Sequence, residues 1–261
     1  SLPSITCLKE YPSDVSVCPI KNDILENKLK ELGVPGAVEA VRSGPVLTRY
    51  EVRLEPGVKL SSVRARSEDI AVALMSDKVR IQAPIPGTPL VGIEIANAEA
   101  SVIGFKNVLK QTKKCRHTLS MAVGTDASGK PVSLDLAKMP HLLIAGQTGS
   151  GKSVFLNSVI LSLLYTMKPE DLQLVLVDPK RVEMSMYKNI PHLRLPIVTE
   201  ADKALDVMKS IVGEMSGRYR TLERVGVRNI KTYNKLDGVE KMPYIVVVID
   251  EMADLMMASG K

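Results

Sequence analysis

The sequence predicts an α/β chain in two parts: a parallel sheet covered by helices, preceded by a small α/β domain. Three observations carry this. The apolar run 142–145 gives way to a glycine-rich loop and then to a helical pattern that opens on Lys152-Ser153. The stretches Leu172–Val177 and Tyr244–Ile249 are apolar almost throughout, with a long amphipathic segment between them. Strands with no polar face, alternating with helices, belong in a parallel sheet buried on both sides. Ahead of them, 46–54 alternates strictly, with Val46, Thr48, Tyr50, Val52 and Leu54 on one side and Arg49, Glu51 and Arg53 on the other. That is the pattern of a half-buried strand.

The elements follow in order. Residues 1–20 hold Pro3, Pro12 and Pro19 with little periodicity and are expected to form an extended lead-in. Asn22 is expected to cap a helix over 23–32, with Ile24, Leu25, Lys28, Leu29 and Leu32 on one face and Gly33 ending it. Ser67 is expected to cap a helix reaching about Met75. Strands follow at 79–83 and 90–95 around the turn Ile85-Pro86-Gly87. These elements make a small domain over 21–115. The polar, basic stretch 111–117 marks its boundary and reads as a solvated linker. The second domain, 116–261, starts with a strand at 119–123 and a turn at 126–129. It continues with a strand at 142–145, a helix from Lys152 to about Tyr165, and the strand Leu172–Val177. A helix from Asp202 to about Val225 carries Leu205, Met208, Ile211, Val212, Met215, Tyr219 and Leu222 at helical spacing, which predicts packing on a sheet. Thr199 and Asp202 fit its capping box, and the strand Tyr244–Ile249 closes the pattern.

Bulk composition narrows the function classes. Aromatics are 3% of 261 residues with no Trp, so aliphatic side chains and twelve Met must build the core. The net charge of +6 is spread evenly, about +3 on each side of Cys115, which is compatible with nucleic acid without arguing for it. Cys7, Cys18 and Cys115 show no metal-ligand or disulfide spacing and read as reduced thiols. No segment approaches the ~20 apolar residues of a membrane span, and no signal peptide is recognisable. The expectation is a soluble intracellular piece.

Three motifs carry chemistry. Gly146-Gln147-Thr148-Gly149-Ser150-Gly151-Lys152-Ser153 is G-x-x-x-x-G-K-[ST] between a strand pattern and a helix pattern, a phosphate-binding loop. Its glycines let consecutive N–H groups turn inward onto an anion, and the helix adds its free N–H groups and positive dipole end. Lys152 is expected to reach the β- and γ-phosphates of a nucleotide, and Ser153 to coordinate Mg²⁺. In the second motif, the apolar strand Tyr244–Ile249 ends in Asp250-Glu251. Asp250 is placed to hold the same Mg²⁺ and Glu251 to orient and deprotonate an attacking water. In the third, Asp178-Pro179-Lys180-Arg181-Val182-Glu183 closes the strand Leu172–Val177. At the carboxyl end of a sheet strand, Asp178 faces either the nucleotide and its metal or a Pro-fixed turn in solvent. Lys180 and Arg181 face phosphate or a neighbouring subunit or, in the Pro-fixed turn, solvent. Asn234-Lys235-Leu236-Asp237 matches a guanine-reading pattern, but no strand precedes it and no D-x-x-G accompanies it, so ATP is favoured over GTP. Arg220, Arg224, Arg228, Lys231 and Lys235 recur at helical spacing and read as a solvated face rather than a nucleic-acid or subunit surface. His141 and His192 are expected to serve local hydrogen bonds.

Taken together, 139–146, the phosphate loop, 177–183, Gly226-Val227-Arg228-Asn229-Ile230 and 244–255 resemble the motor of the FtsK/SpoIIIE bacterial DNA translocases. The segment 44–51 and Ile85-Pro86-Gly87 resemble the family's α domain. The resemblance covers nearly the whole chain. It implies a RecA-like P-loop NTPase sheet, parallel and truncated, behind the small α/β domain. It also implies ATP and Mg²⁺ as cofactors and a homo-oligomeric, hexameric ring threading double-stranded DNA in chromosome segregation at division or sporulation. Division proteins or site-specific recombinases are implied as partners. The full protein is expected at the cytoplasmic face of the bacterial inner membrane. The family's polar sensor strand, arginine finger and most DNA-facing loops are expected beyond Lys261, so the 261 residues alone are expected to turn over poorly. The competing readings are a related ring ATPase of a secretion or conjugation system, pumping protein or DNA, and a nucleotide-dependent assembly module without transport.

Overall fold

Antiparallel pairing organises the first part of the chain. In the computed structural model, which describes residues 2–11, 21–115, 117–147 and 149–259, strands β1 (Gly36–Ser43), β2 (Leu47–Leu54), β3 (Val79–Gln82) and β4 (Val91–Ala96) form one sheet in the order β1-β2-β4-β3. The alternation of β2 is realised, because Thr48, Tyr50 and Val52 are fully buried. Tyr50 and Val52 join a core with Leu25 and Leu29 of α1 (Asn22–Glu31), Val63 of α2 (Leu60–Ala65), Ile70 and Leu74 of α3 (Ser67–Leu74), and Val91, Ile93 and Ile95 of β4. On the other face, Arg49 reaches Glu94, opposite it on β4, at 2.6–2.8 Å, and Arg80 stands 3.4 Å from the same carboxylate. Glu94 is buried, so two guanidinium groups offset the cost of taking its charge out of water.

Local details depart from the expectation. Asn22 lies inside the first turn of α1, whose cap position is Lys21. Ser67 is likewise the first residue of α3, because Arg66 both ends α2 and opens α3, leaving no extended cap residue between them. β1 and α4 (Phe105–Thr112) are further elements of this unit, α4 burying Val108, Leu109 and Thr112 at helical spacing. The hairpin β5 (Ser120–Thr125) and β6 (Pro131–Asp135) packs on α4. Asp135 ties its base by accepting the N–H groups of Thr118 and Leu119. One compact unit spans Ile5–Asp135, and the other comprises 136–261 together with 1–4. Pro12, Cys18 and Pro19 of the expected lead-in, and Arg116, lie outside the described residues.

The second unit is built on parallel pairing. β7 (Leu172–Val177) and β8 (Tyr244–Ile249) run side by side, Leu172 opposite Tyr244 and Val177 opposite Ile249. Five residues of β7 are fully buried, on both faces, as a parallel strand requires. The irregular segment 192–198 extends β7's other edge through Leu174–Leu193 and Val177–Val198 bridges. Helix α6 (Ala201–Val225) and, beyond the short α7 (Ile230–Tyr233), helix α8 (Met252–Ser259) contribute Ala204 and Leu255 to a cluster with Val175, Val177 and Val198. α5 (Lys152–Thr166) buries Leu156, Val159, Ile160 and Leu163.

Three expectations fail here. The run 142–145 forms no strand, and Leu143 is 82% exposed. A strand exists only through its neighbours' hydrogen bonds, and none of the described strands lies beside this run. The capping box at Thr199 and Asp202 does not form, since Glu200 occupies the cap position without a side-chain bond to the helix. Of the seven stripe residues on α6, only Leu222 is buried. Ile211 packs partly on the sheet cluster, whereas Val212, Met215 and Tyr219 are exposed. A sheet with two regular strands is too narrow to cover a 25-residue helix. Gly226, at φ 75°, ends α6 as expected.

Candidate functional site

Two glycines shape the loop that leads into α5. Gly149 and Gly151 sit at φ 80° and 94°, a region a Cβ disfavours. At Gly146 the constraint is contact, because a Cβ there would collide with the side chain of Ser150. The Ser150 N–H closes a turn onto the Gln147 carbonyl at 3.0 Å. Helix α5 begins at Lys152, and the first intrahelical bond runs from Phe155 N–H to the Gly151 carbonyl. The N–H groups of a helix's first turn have no intrahelical acceptor, so they are open to an anion. Thr148, assigned to the same cradle, lies outside the described residues.

Parallel pairing brings the acids to this loop. With Val177 in register with Ile249, the ends of β7 and β8 coincide and Asp250 follows at that edge, its N–H bonded to the Val177 carbonyl at 3.1 Å. Lys152 Nζ donates to the Asp250 carbonyl at 3.0 Å and lies 3.4 Å from Asp250 Oδ1 and 3.8 Å from Glu251 Oε2. Lys180 Nζ approaches Glu251 Oε2 at 3.5 Å. Glu251 is thus bracketed by two ammonium groups. The Lys152 charge first, then the Ala253 N–H and Lys180, hold its carboxyl below the usual carboxylate range. The structure therefore brings together Lys152, Asp250, Glu251 and Lys180, the last from the motif that closes β7.

Ser153 is occupied by a residue to which the sequence assigned no role. Its hydroxyl donates to Glu183 Oε1 at 2.7 Å. Nearby, Asn157 Nδ2 donates to the Ser153 carbonyl at 2.9 Å, and Tyr187 OH donates to Asn157 Oδ1 at 2.6 Å. Burial pushes the Tyr187 phenol up to about 12, so it remains a donor. Nothing in the spacing of Asp178-Pro179-Lys180-Arg181-Val182-Glu183 announces that Glu183 would meet a hydroxyl thirty positions upstream.

Asp178 is fully buried, and its Oδ2 accepts the Met184 N–H at 2.9 Å. Among the described residues it makes no hydrogen bond or ion pair with Lys152, Ser153, Asp250 or Glu251. It closes the loop that carries Glu183, with Arg181 at φ 58° inside that loop. It also lines an open cavity of about 640 Å³ with Arg181, Ser185, Lys188 and Arg194. None of Lys152, Ser153, Asp250 and Glu251 lines that cavity. Asn234 of the guanine-like pattern bonds both ways with Met242, through Nδ2 to its carbonyl and Oδ1 from its N–H, which gives it a structural duty. His192 Nε2 is 2.9 Å from the Met167 carbonyl, a local bond. The five cations at 220, 224, 228, 231 and 235 are all exposed.

The arrangement suits a phosphate ester with a divalent cation. Asp250 Oδ1 is buried without a hydrogen-bond partner, next to the loop's lysine. Among the described residues no group of three or more His, Cys, Asp or Glu forms a metal cage. A cation here would take few protein oxygens and fill the rest of its shell from phosphate and water, the habit of Mg²⁺ rather than Zn²⁺. No described helix is long and apolar enough to cross a membrane.

A family model described as FtsK/SpoIIIE family matches residues 108–261, and one described as FtsK alpha domain matches 2–97. The chain is 49% identical over 239 residues to the protein named DNA translocase FtsK of Clostridium tetani, covering 89% of this chain and 32% of that protein. It is 42% identical to the DNA translocase FtsK of Haemophilus influenzae, covering 100% of this chain and 55% of that one. The chain therefore spans a third to about half of these relatives' length. Among solved structures it is similar to the pCW3 conjugation coupling protein TcpA, monomer form with ATPgS, with a TM-score of 0.53 and 24% identity over 92% of this chain and 67% of that one. That likeness bears on the fold alone, a mixed α/β chain with a parallel strand pair.

Proposed function

The chain belongs to the FtsK/SpoIIIE family, and from that premise we propose that it is the nucleotide-handling part of an ATP-driven motor that moves double-stranded DNA. The observation that carries the reading is the convergence of Lys152 on Asp250 and Glu251, at 3.4 and 3.8 Å, at the end of a parallel strand. In this reading 21–115 is the family's α domain and 116–261 the first part of its RecA-like domain.

The residues divide the work. Gly146, Gln147, Thr148, Gly149, Ser150 and Gly151 wrap the phosphates with backbone N–H groups, and Lys152 turns from its acidic neighbours to the β- and γ-phosphate oxygens. Ser153 and Asp250 would hold Mg²⁺, which supplies charge neutralisation across the β- and γ-phosphates. Glu251 orients a water in line with the γ-phosphorus and accepts its proton. Lys152 is the first cause of its lowered pKa, so turning Lys152 to the phosphates makes Glu251 a stronger base as nucleotide binds. Lys180, on the same carboxylate, limits its rotation. Asp178 acts through the loop it closes. The whole protein is proposed to work as a homo-oligomeric ring, at the cytoplasmic face of the bacterial membrane, in chromosome segregation.

The test is ATP hydrolysis by the full-length protein with and without double-stranded DNA. DNA is expected to stimulate hydrolysis. Glu251→Gln is expected to retain ATP binding and lose turnover. Hydrolysis indifferent to DNA would overturn the DNA-motor reading, and a Glu251→Gln protein that turns over normally would remove Glu251 from the proton-accepting role.

A further inference from the structure

We infer that Glu183 is a positioning residue for the cation site, acting through the hydroxyl of Ser153. The inference rests on the nucleotide reading above and extends it to a residue outside the phosphate loop and the strand-end acids. A serine hydroxyl has one proton to donate and two lone pairs to offer. In this structure the proton points at Glu183 Oε1, 2.7 Å away. The hydroxyl rotor is thereby set, and its lone pairs are left for a cation. Donation to a carboxylate also makes the oxygen more electron-rich and a better ligand for a hard cation. Partners of this kind, behind the direct ligands, orient them and tune their affinity.

The carboxylate is itself held. Asp178, fully buried, accepts the Met184 N–H at 2.9 Å and so anchors the residue that follows Glu183. Met184 is buried with no exposed surface. Tyr187 and Asn157 form a second strut, from the turn after Glu183 back to the Ser153 carbonyl, at 2.6 and 2.9 Å. Both the hydroxyl and the carbonyl of Ser153 are therefore tied to the one loop that follows β7. Two struts on one residue restrict it more than either alone, because rotation about one contact breaks the other. This assigns a purpose to Asp178 as well: it positions Glu183 rather than touching the nucleotide.

The experiment measures affinity for a fluorescent ATP analogue, by anisotropy, in Mg²⁺ and separately in EDTA. The ratio of the two affinities reports the cation site and does not depend on turnover. Glu183→Ala is expected to lower the Mg²⁺ enhancement about tenfold or more, in the range seen when such supporting partners are removed. Its affinity in EDTA should stay at the wild-type value, which also shows that the variant is folded. Glu183→Gln keeps an oxygen that can accept the hydroxyl proton and should retain most of the enhancement. An unchanged Mg²⁺ enhancement in Glu183→Ala would overturn the inference. So would equal loss in both variants, or equal weakening of Glu183→Ala in Mg²⁺ and in EDTA. A wild-type protein that binds no nucleotide in either condition would instead overturn the nucleotide reading itself.

Discussion

The two units of this chain meet the demand for backbone pairing in opposite ways. In Ile5–Asp135 each strand of the antiparallel sheet finds a partner close by, and the hairpin β5–β6 closes on itself. Its core holds Leu25, Leu29, Tyr50, Val52, Ile70 and Ile93 with no accessible surface. In the other unit, the two regular strands are parallel and their partners are far apart in sequence. Both units leave large apolar side chains at the surface, Val72, Met75 and Val102 in the first and Leu143, Val154, Tyr219 and Met257 in the second, at 63–82% exposure. Antiparallel neighbours satisfy each other through short turns, whereas parallel neighbours need long crossovers. The nucleotide chemistry resides in the parallel unit, and the antiparallel unit carries none of the phosphate-site residues. Stability and ligand affinity should therefore be separable by mutation.

The largest effect should come from the first core. Leu29→Ala removes a fully buried side chain and should cost about 2–5 kcal/mol in a urea titration, with affinity for ATP unchanged wherever the protein is still folded. A matching loss of ATP affinity would break the separation. Next is Lys152→Ala. Losing a charged hydrogen-bonding partner of the phosphates costs about 1.5–3 kcal/mol. Calorimetry should show ATP binding weakened by about ten- to a hundredfold. Gly151→Ala comes third. With nothing within 4 Å of the added Cβ, its cost is conformational, from φ 94° alone, and should be about 1–2 kcal/mol of ATP affinity. Substituting a residue that crowds the site without such strain, such as Gly146, should instead act through displacement of Ser150.

A subtler test concerns Glu251, whose carboxyl is held low by Lys152, the Ala253 N–H and Lys180. For a carboxylate with a depressed folded-state value, the stabilising contribution is present above the unfolded value of about 4.5 and is lost as pH falls through the folded one. Observed by carbon NMR, its titration should lie below that of an ordinary glutamate and move up in Lys152→Ala. The smallest effect is expected at Tyr219. It is 63% exposed, and Tyr219→Ser should change stability by no more than about 0.5 kcal/mol. A larger loss would mean that the outer face of α6 is covered in solution.

What was legible in the sequence was mostly local. The alternation around Tyr50 placed β2, the nearly unbroken apolar runs placed β7 and β8 from end to end, and helical spacing placed the end of α6 at Val225. The phosphate loop and the acids at 250–251 were likewise recognisable from residue type and spacing. Caps were less legible. Asn22, Ser67 and Thr199 have the right chemistry for a cap, but whether a polar residue caps depends on the direction in which the chain enters the helix. Exposure along α6 was not legible either, because an apolar stripe states a preference for burial without supplying the surface that buries it.

By itself the sequence determined which residues could touch a phosphate, because loop conformation and helix start are decided by neighbours a few positions apart. It also determined the α/β class, through the period of its apolar residues. Only the tertiary structure decided that Lys152 would lie against Asp250, 98 positions on, and that the Ser153 hydroxyl would donate a hydrogen bond to Glu183, thirty positions on. It decided as well that 142–145 would remain unpaired and that Asp178 would close a loop. These outcomes depend on which strand lies beside which and on how a loop folds back. Distant segments settle that together, and no local spacing encodes it.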